Sequence, residues 1–116
     1  MKELSAEELL KWNEEDSDSL FLVIIKTKVC PRCIRFIDHI EGSFGSGIDD
    51  EAIAVFVQEN TKGYEMSGRM LSDLGVMNVP VVLYKEDRTT KIKSTDDLSS
   101  FDRWMEDFLE NKGGIR

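Results

Sequence analysis

The chain has 116 residues, 41% of them apolar and 33% charged, which is the composition of an ordinary globular domain rather than a disordered segment. Its formal net charge of −8 argues against binding to nucleic acid, because a phosphate backbone favours clustered Lys and Arg. Apolar runs such as Leu20–Ile25 are too short to span a bilayer. Residues 1–8 have no basic start followed by an apolar stretch. We therefore expect a single domain over residues 1–116, located in the reducing cytoplasm and without a membrane segment.

The first predicted helix runs over Ala6–Asn13. Ser5 and Glu8 have the spacing of a capping box, in which each side chain accepts a hydrogen bond from the backbone N–H of the other residue. The next predicted element is a strand over Leu20–Ile25. A continuous, partly β-branched apolar run of this length is typical of a strand that is covered on both faces.

The two cysteines of the chain lie in the motif Cys30-Pro31-Arg32-Cys33, directly after this strand. A helix is predicted over Pro31–Glu41, because isoleucines recur at helical spacing after the motif and Gly42 is a natural stop. Two thiols three residues apart at a helix start can form a disulfide with each other and release it again. Between a strand and a helix, this spacing predicts a redox motif.

Three more strands and two more helices complete the predicted order. They are a strand over Ala52–Val57, a helix over Tyr64–Leu74, a strand over Val79–Tyr84, a turn at Asp87-Arg88, a short polar edge strand over Thr89–Lys93 and a last helix that begins at Ser94–Asp97 and ends at Gly113-Gly114. The residues expected to face inward on the helix over 64–74 are Met66, Met70, Leu71 and Leu74.

The element order is therefore α-β-α-β-α-β-β-α. A strand, a helix and a second strand in succession imply a parallel pair joined by a right-handed crossover. We predict an α/β fold in which a central four-stranded mixed sheet has helices on both sides and is preceded by one extra helix.

The start of the second helix is where the chemistry is expected. Unpaired backbone N–H groups and the helix dipole favour negative charge there, so the pKa of a cysteine thiol at that position is lowered. Cys30, at or just before the helix, is the candidate nucleophile, and Cys33, one turn later and facing the protein, is the candidate resolving thiol. Pro31 suits the first helical position. Lys28 and Arg32 flank the nucleophile and should lower its pKa further.

Two other interpretations of the cysteines stay open at this point. They could be buried, inert thiols, or half of a zinc site. A structural zinc site takes four ligands, and His39 is the single further soft ligand in the sequence, so we expect no metal. A surface role is predicted for His39, since no nucleophile lies in its turn.

Pro80 is the second chemical signal. It stands at the start of a strand that otherwise looks central to the sheet, and a proline there removes a hydrogen-bond donor. A cis Val79–Pro80 bond beside the cysteines would turn the Val79 backbone outward, where an extended thiol substrate could pair with it. A trans proline that only starts the strand fits the sequence equally well.

Taken together, the cysteine motif and Val79-Pro80 in this order of elements resemble the thioredoxin-fold oxidoreductases, over about residues 20–110. The Cys-Pro-x-Cys form is more similar to glutaredoxins than to thioredoxins. Lys28 before the first cysteine, the stretch Leu71–Pro80 and the stretch Ile92–Leu98 add to this resemblance. The chain departs from the glutaredoxin pattern at Asn78, Lys93 and Ser94, and also at Lys28, which lies two residues before Cys30 where glutaredoxins usually place the lysine three before. It departs from thioredoxins at Ile24, where a buried Asp is usual.

The resemblance implies a thioredoxin-like fold and a thiol–disulfide oxidoreductase that reduces protein disulfides or glutathione mixed disulfides. The implied electron donor is glutathione or a thioredoxin reductase, and no tightly bound cofactor is expected. In the first case glutathione is a co-substrate. Val79 and Pro80 would position the substrate. Asp96 and Asp97 lie at a helix start, a place suited to hold the amine and the carboxylate of a bound glutathione. The alternative is a binding module that keeps the fold, holds a partner beside Pro80 and leaves the cysteines passive.

Overall fold

The computed structural model describes residues 1–15, 20–45, 48, 51–59 and 63–112. In these ranges the strands are β1 (Lys2–Leu4), β2 (Leu22–Thr27), β3 (Ile53–Gln58), β4 (Val81–Glu86) and β5 (Thr89–Ser94). The helices are α1 (Ala6–Glu14), α2 (Pro31–Phe44), α3 (Glu65–Asp73) and α4 (Leu98–Lys112). The predicted end of the last helix at Gly113-Gly114 lies outside the described residues.

The strands form one mixed sheet in the order β1-β3-β2-β4-β5. β1, β3 and β2 run parallel, whereas β4 is antiparallel to β2 and β5 is antiparallel to β4. The predicted mixed sheet, the parallel β2–β3 pair and the edge position of β5 are confirmed. Asp87 and Arg88 make the predicted turn, with φ of 52° and 67°, as a two-residue type I′ hairpin requires.

The described part of the sheet has five strands where four were predicted, because β1 joins it at one edge. β1 is three residues long and pairs with β3, so that Leu4 lies opposite Phe56. Leu4 is its one buried residue. Such a segment has no alternation of apolar and polar residues long enough to predict a strand.

Helices cover both faces of the sheet, as predicted. Against one face, α2 and α4 bury a cluster that includes Phe36, Ile40, Phe101 and Met105. Against the other face, α1 and α3 bury a cluster that includes Leu9, Trp12, Met70 and Leu71. Strand residues point alternately into these two clusters, since successive side chains of a strand face opposite sides. The α2–α4 layer is the one that carries the cysteine motif.

The predicted extra helix at the N-terminus is present as α1, and it begins with the predicted capping box. The Glu8 N–H donates to Ser5 Oγ at 3.1 Å, and the Ser5 N–H donates to Glu8 Oε1 at 3.0 Å. The Ser5 N–H, helped by Lys2, holds the pKa of the Glu8 carboxyl at about 2. This reciprocal bonding explains why α1 begins at Ala6.

Helix α2 continues past Gly42 and ends at Phe44, so the predicted stop at Gly42 was wrong. Phe44 is buried in the cluster beneath α2, and this burial extends the helix beyond the glycine. His39 is half-buried, and its Nε2 lies 2.8 Å from Oδ1 of Asp102, which joins α2 to α4. His39 therefore lies between two helices and not on the open surface where it was predicted.

One residue predicted to face inward on α3 does not. Met66 is 58% exposed, whereas Met70 and Leu71 are buried. The stripe of α3 that packs inward is Ser67, Met70, Leu71 and Leu74, which follows the i, i+3, i+4, i+7 spacing of one helix face. Met66 falls outside this stripe.

Candidate active site at the Cys30–Cys33 disulfide

The pairing of the strands brings three separate segments to one end of the sheet. β2 leads into α2 at its carboxyl end, and Ile25 near that end lies opposite Val81 at the start of β4. Val81 in turn lies opposite Ser94 at the end of β5. Because β4 is antiparallel to both neighbours, the residues after β2, before β4 and after β5 lie at the same end of the sheet.

The two cysteines form a disulfide, with their Cα atoms 5.2 Å apart. Cys30 is the N-cap residue of α2, and its Sγ accepts a hydrogen bond from the Cys33 backbone N–H at 3.1 Å. Pro31 occupies the first helical position, where its missing N–H costs no hydrogen bond. Cys33 is fully buried, whereas Cys30 retains 9% of its exposure. Of the two cysteines, Cys30 is therefore the one that retains some contact with solvent.

Exposed apolar side chains lie next to both sequence motifs. Val29, which precedes Cys30, is 88% exposed, and Ile34, one turn along α2, is 53% exposed. Met77, three residues before Pro80, is 89% exposed. Sequence reasoning missed these residues as site candidates. The available signal was an isolated apolar residue in a loop beside each motif.

The Val79–Pro80 bond is cis, which is one of the two alternatives that the sequence left open. Pro80 is buried, and its carbonyl accepts a hydrogen bond from Thr95 Oγ1 at 2.6 Å. The Val79 carbonyl accepts one from the Arg32 guanidinium at 3.2 Å. The segment before β4 is thus tied both to the start of α2 and to the residue after β5.

Arg32 connects the start of α2 to the segment before β4 and to the segment after β5. Besides its bond to Val79, its guanidinium lies 4.0 Å from Oδ1 of Asp96. Lys28 is exposed, and within the described ranges its side chain has no hydrogen bond or ion pair. The predicted influence of these two cations on the Cys30 thiol therefore stays a prediction.

The two aspartates before α4 differ in their surroundings. The Asp97 carboxylate accepts hydrogen bonds from the Ser100 backbone N–H at 3.2 Å and from Ser100 Oγ at 3.1 Å, which is the pattern of a helix N-cap. These bonds, the backbone one first, lower the pKa of Asp97. The side chain of Asp96 is 72% exposed. Asp96 is accordingly the more available of the two for a ligand.

Two grooves share Pro80 and Asp96 in their walls. The larger, which we name the Arg35 groove, has a volume of about 410 Å³ and is lined by Arg32, Arg35, Phe36, Pro80, Thr95, Asp96 and Leu98. The smaller has a volume of about 150 Å³ and is lined by residues 75–78, Pro80, Val81, Ile92, Ser94 and Asp96. Pro80 and Asp96 therefore form part of the boundary of both depressions.

The described residues show neither a metal-binding cluster nor a membrane-spanning helix. They contain no group of three His, Cys, Asp or Glu side chains placed to hold a metal ion. None of the helices in the part of the chain that the structure describes is long and apolar enough to cross a membrane.

Comparison with known proteins bears on the fold. No protein-family model matches the chain, and no curated protein matches it. Among solved structures, it is similar to the crystal structure of thioredoxin O1 from Arabidopsis thaliana in the oxidized state, with a TM-score of 0.59 and 18% sequence identity. The match covers 91% of this chain and 95% of that one. The chain therefore has the thioredoxin fold, with a Cys-x-x-Cys disulfide at the start of its second helix.

Proposed function

We propose that the protein is a thiol–disulfide oxidoreductase that reduces protein disulfides or glutathione mixed disulfides. One observation carries the proposal: the sulfur of Cys30 caps α2, accepts the Cys33 N–H and is bonded to the Cys33 sulfur. A helix N-terminus stabilises a thiolate at this position, and the thiolate is the form that attacks disulfides.

The proposed reaction moves two electrons from the dithiol to the substrate. The Cys30 thiolate attacks one sulfur of the substrate disulfide, a mixed disulfide forms, and the other substrate sulfur leaves as a thiolate that takes up a proton. The Cys33 thiol then loses its proton and attacks the Cys30 sulfur. The second substrate thiolate leaves, and the Cys30–Cys33 disulfide remains. Glutathione or a thioredoxin reductase returns two electrons to it.

The other site residues have supporting roles in this proposal. Lys28 and Arg32 add positive charge near the thiolate, and Pro31 starts the helix that holds it. Val79 and Pro80 position the incoming chain. In a glutathione adduct, Asp96 would bind the amine, and Asp97 lies next to it at the helix start. Because Asp97 already caps α4, Asp96 is the main candidate for this role. The cytoplasmic location stays a prediction.

A turnover assay tests the proposed function. Reduction of a protein disulfide and of a glutathione mixed disulfide is followed with each of two donors, glutathione with its reductase or thioredoxin reductase, both with NADPH. We expect catalysis with at least one donor, with a rate proportional to protein concentration. The alternative, a passive binding module beside Pro80, predicts no turnover with either donor on either substrate.

A further inference from the structure

The Arg35 groove contains a guanidinium group that has no partner among the described residues. Arg32 and Arg35 are three residues apart on α2, so they lie on one side of the helix. Arg32 is engaged with the Val79 carbonyl and lies near the Asp96 carboxylate. Arg35 is exposed, and in the described part of the chain its guanidinium has no hydrogen bond or ion pair. Arg35 is therefore available to a ligand.

The local charge of the groove is opposite in sign to that of the protein. Its described walls hold two guanidinium groups and one carboxylate, that of Asp96, while the whole chain has a net charge of −8. Asp38 lies one turn further along α2, and in the described part of the chain it forms no ion pair with Arg35. A groove with net positive charge attracts negatively charged groups of a ligand, even on a protein whose net charge is negative.

The walls of the groove offer a polypeptide apolar surface as well as charged groups. Phe36, Pro80 and Leu98 give it apolar walls, and Leu98 is 42% exposed. Arg32, two residues after Cys30 in the first turn of α2, also lines it, so the groove includes the start of the helix that Cys30 caps. The smaller groove shares Pro80 and Asp96 with it. A polypeptide bound at Pro80 would therefore border both depressions.

We propose that Arg35 is a specificity-determining residue that favours polypeptide substrates with Asp or Glu beside the cysteine to be reduced. This inference rests on the proposed function and narrows its substrate class. The carboxylate of the substrate pairs with the Arg35 guanidinium while the substrate sulfur faces Cys30. Glutathione also carries carboxylates, so the test includes it as a separate arm.

The test compares two disulfide-bonded peptides that differ at the residue next to the cysteine, Asp in one and Asn in the other. In 0.1 M salt we expect a kcat/KM about twofold to fivefold higher for the Asp peptide, which is the range of an exposed ion pair. The ratio should approach one at 1 M salt, where the Debye length is about 3 Å. Arg35→Lys should keep most of the preference, and Arg35→Glu should abolish or reverse it.

Lys91→Glu is the matched control, because it changes the formal charge by the same amount as Arg35→Glu. Lys91 lies on β5, three residues before Ser94, which pairs with the residue after Pro80. This variant should keep the preference of the wild type. Equal rates for the two wild-type peptides would overturn the inference, and so would a preference that survives in Arg35→Glu. If Arg35→Glu slows glutathione disulfide alone, the groove serves the small ligand and the inference is wrong. If neither peptide nor glutathione disulfide is reduced, the proposed function itself fails.

Discussion

Replacing Cys30 with Ser should lower disulfide reductase activity by at least about a thousandfold. A serine hydroxyl at this position is not ionised at neutral pH and cannot replace the thiolate as nucleophile, so the first step of the reaction is lost. The measurement is kcat/KM for a protein disulfide under conditions in which the wild-type protein is fully recycled. Circular dichroism on both proteins provides the control for folding.

The matched variant, Cys33→Ser, should fail at the second step instead. It keeps the Cys30 nucleophile but has no thiol to resolve the intermediate, so mixed disulfides with substrate should accumulate. Mass spectrometry without reductant detects them as a covalent adduct that dithiothreitol removes. Equal residual activity in the two variants, or an adduct on Cys33 in the Cys30→Ser variant alone, contradicts the assigned order of the thiols.

Replacing Phe101 with Ala should have the largest effect on stability, about 3–5 kcal/mol of unfolding free energy. Phe101 is 1% exposed, and its ring packs edge-on against that of Phe36, with the centroids 5.1 Å apart. The substitution opens a cavity between α4 and the helix that carries the cysteines. Thermal and urea unfolding should show it, with a fall in Tm of roughly 10–20 °C.

Met66→Ala is the control for this prediction, because the Met66 side chain is 58% exposed. Its unfolding free energy should stay within about 0.5 kcal/mol of the wild type. If Met66→Ala destabilises the protein as much as Phe101→Ala does, the assignment of the core between α2 and α4 is wrong.

Local patterns in the sequence predicted most of the fold. The apolar runs of β2, β3 and β4 and the 3.6-residue periodicity of α2 and α4 are strong signals, because each element buries a wide apolar surface. The capping box at Ser5 and the turn at Asp87-Arg88 depend on neighbouring residues alone, so they were predictable. The start of α2 at Pro31 was predictable for the same reason.

The remaining features depend on residues that are distant in sequence. β1 becomes a strand because β3 offers it an edge, and α2 extends to Phe44 because the core beneath it accepts that ring. At the site, Arg32 bonds the Val79 carbonyl across 47 residues, which no local pattern encodes. The isomer of the Val79–Pro80 bond was equally undetermined, since both isomers fit the sequence.

The pKa of the Cys30 thiol in the reduced protein tests the account most directly. Its value comes from the pH dependence of the rate at which Cys30 reacts with iodoacetamide, with Cys33 replaced by Ser. We predict a pKa clearly below the ordinary value of about 8.5, because the first turn of α2 donates to the Cys30 sulfur. A pKa at or above that value would show that the helix start does not activate this cysteine and would favour the passive binding module.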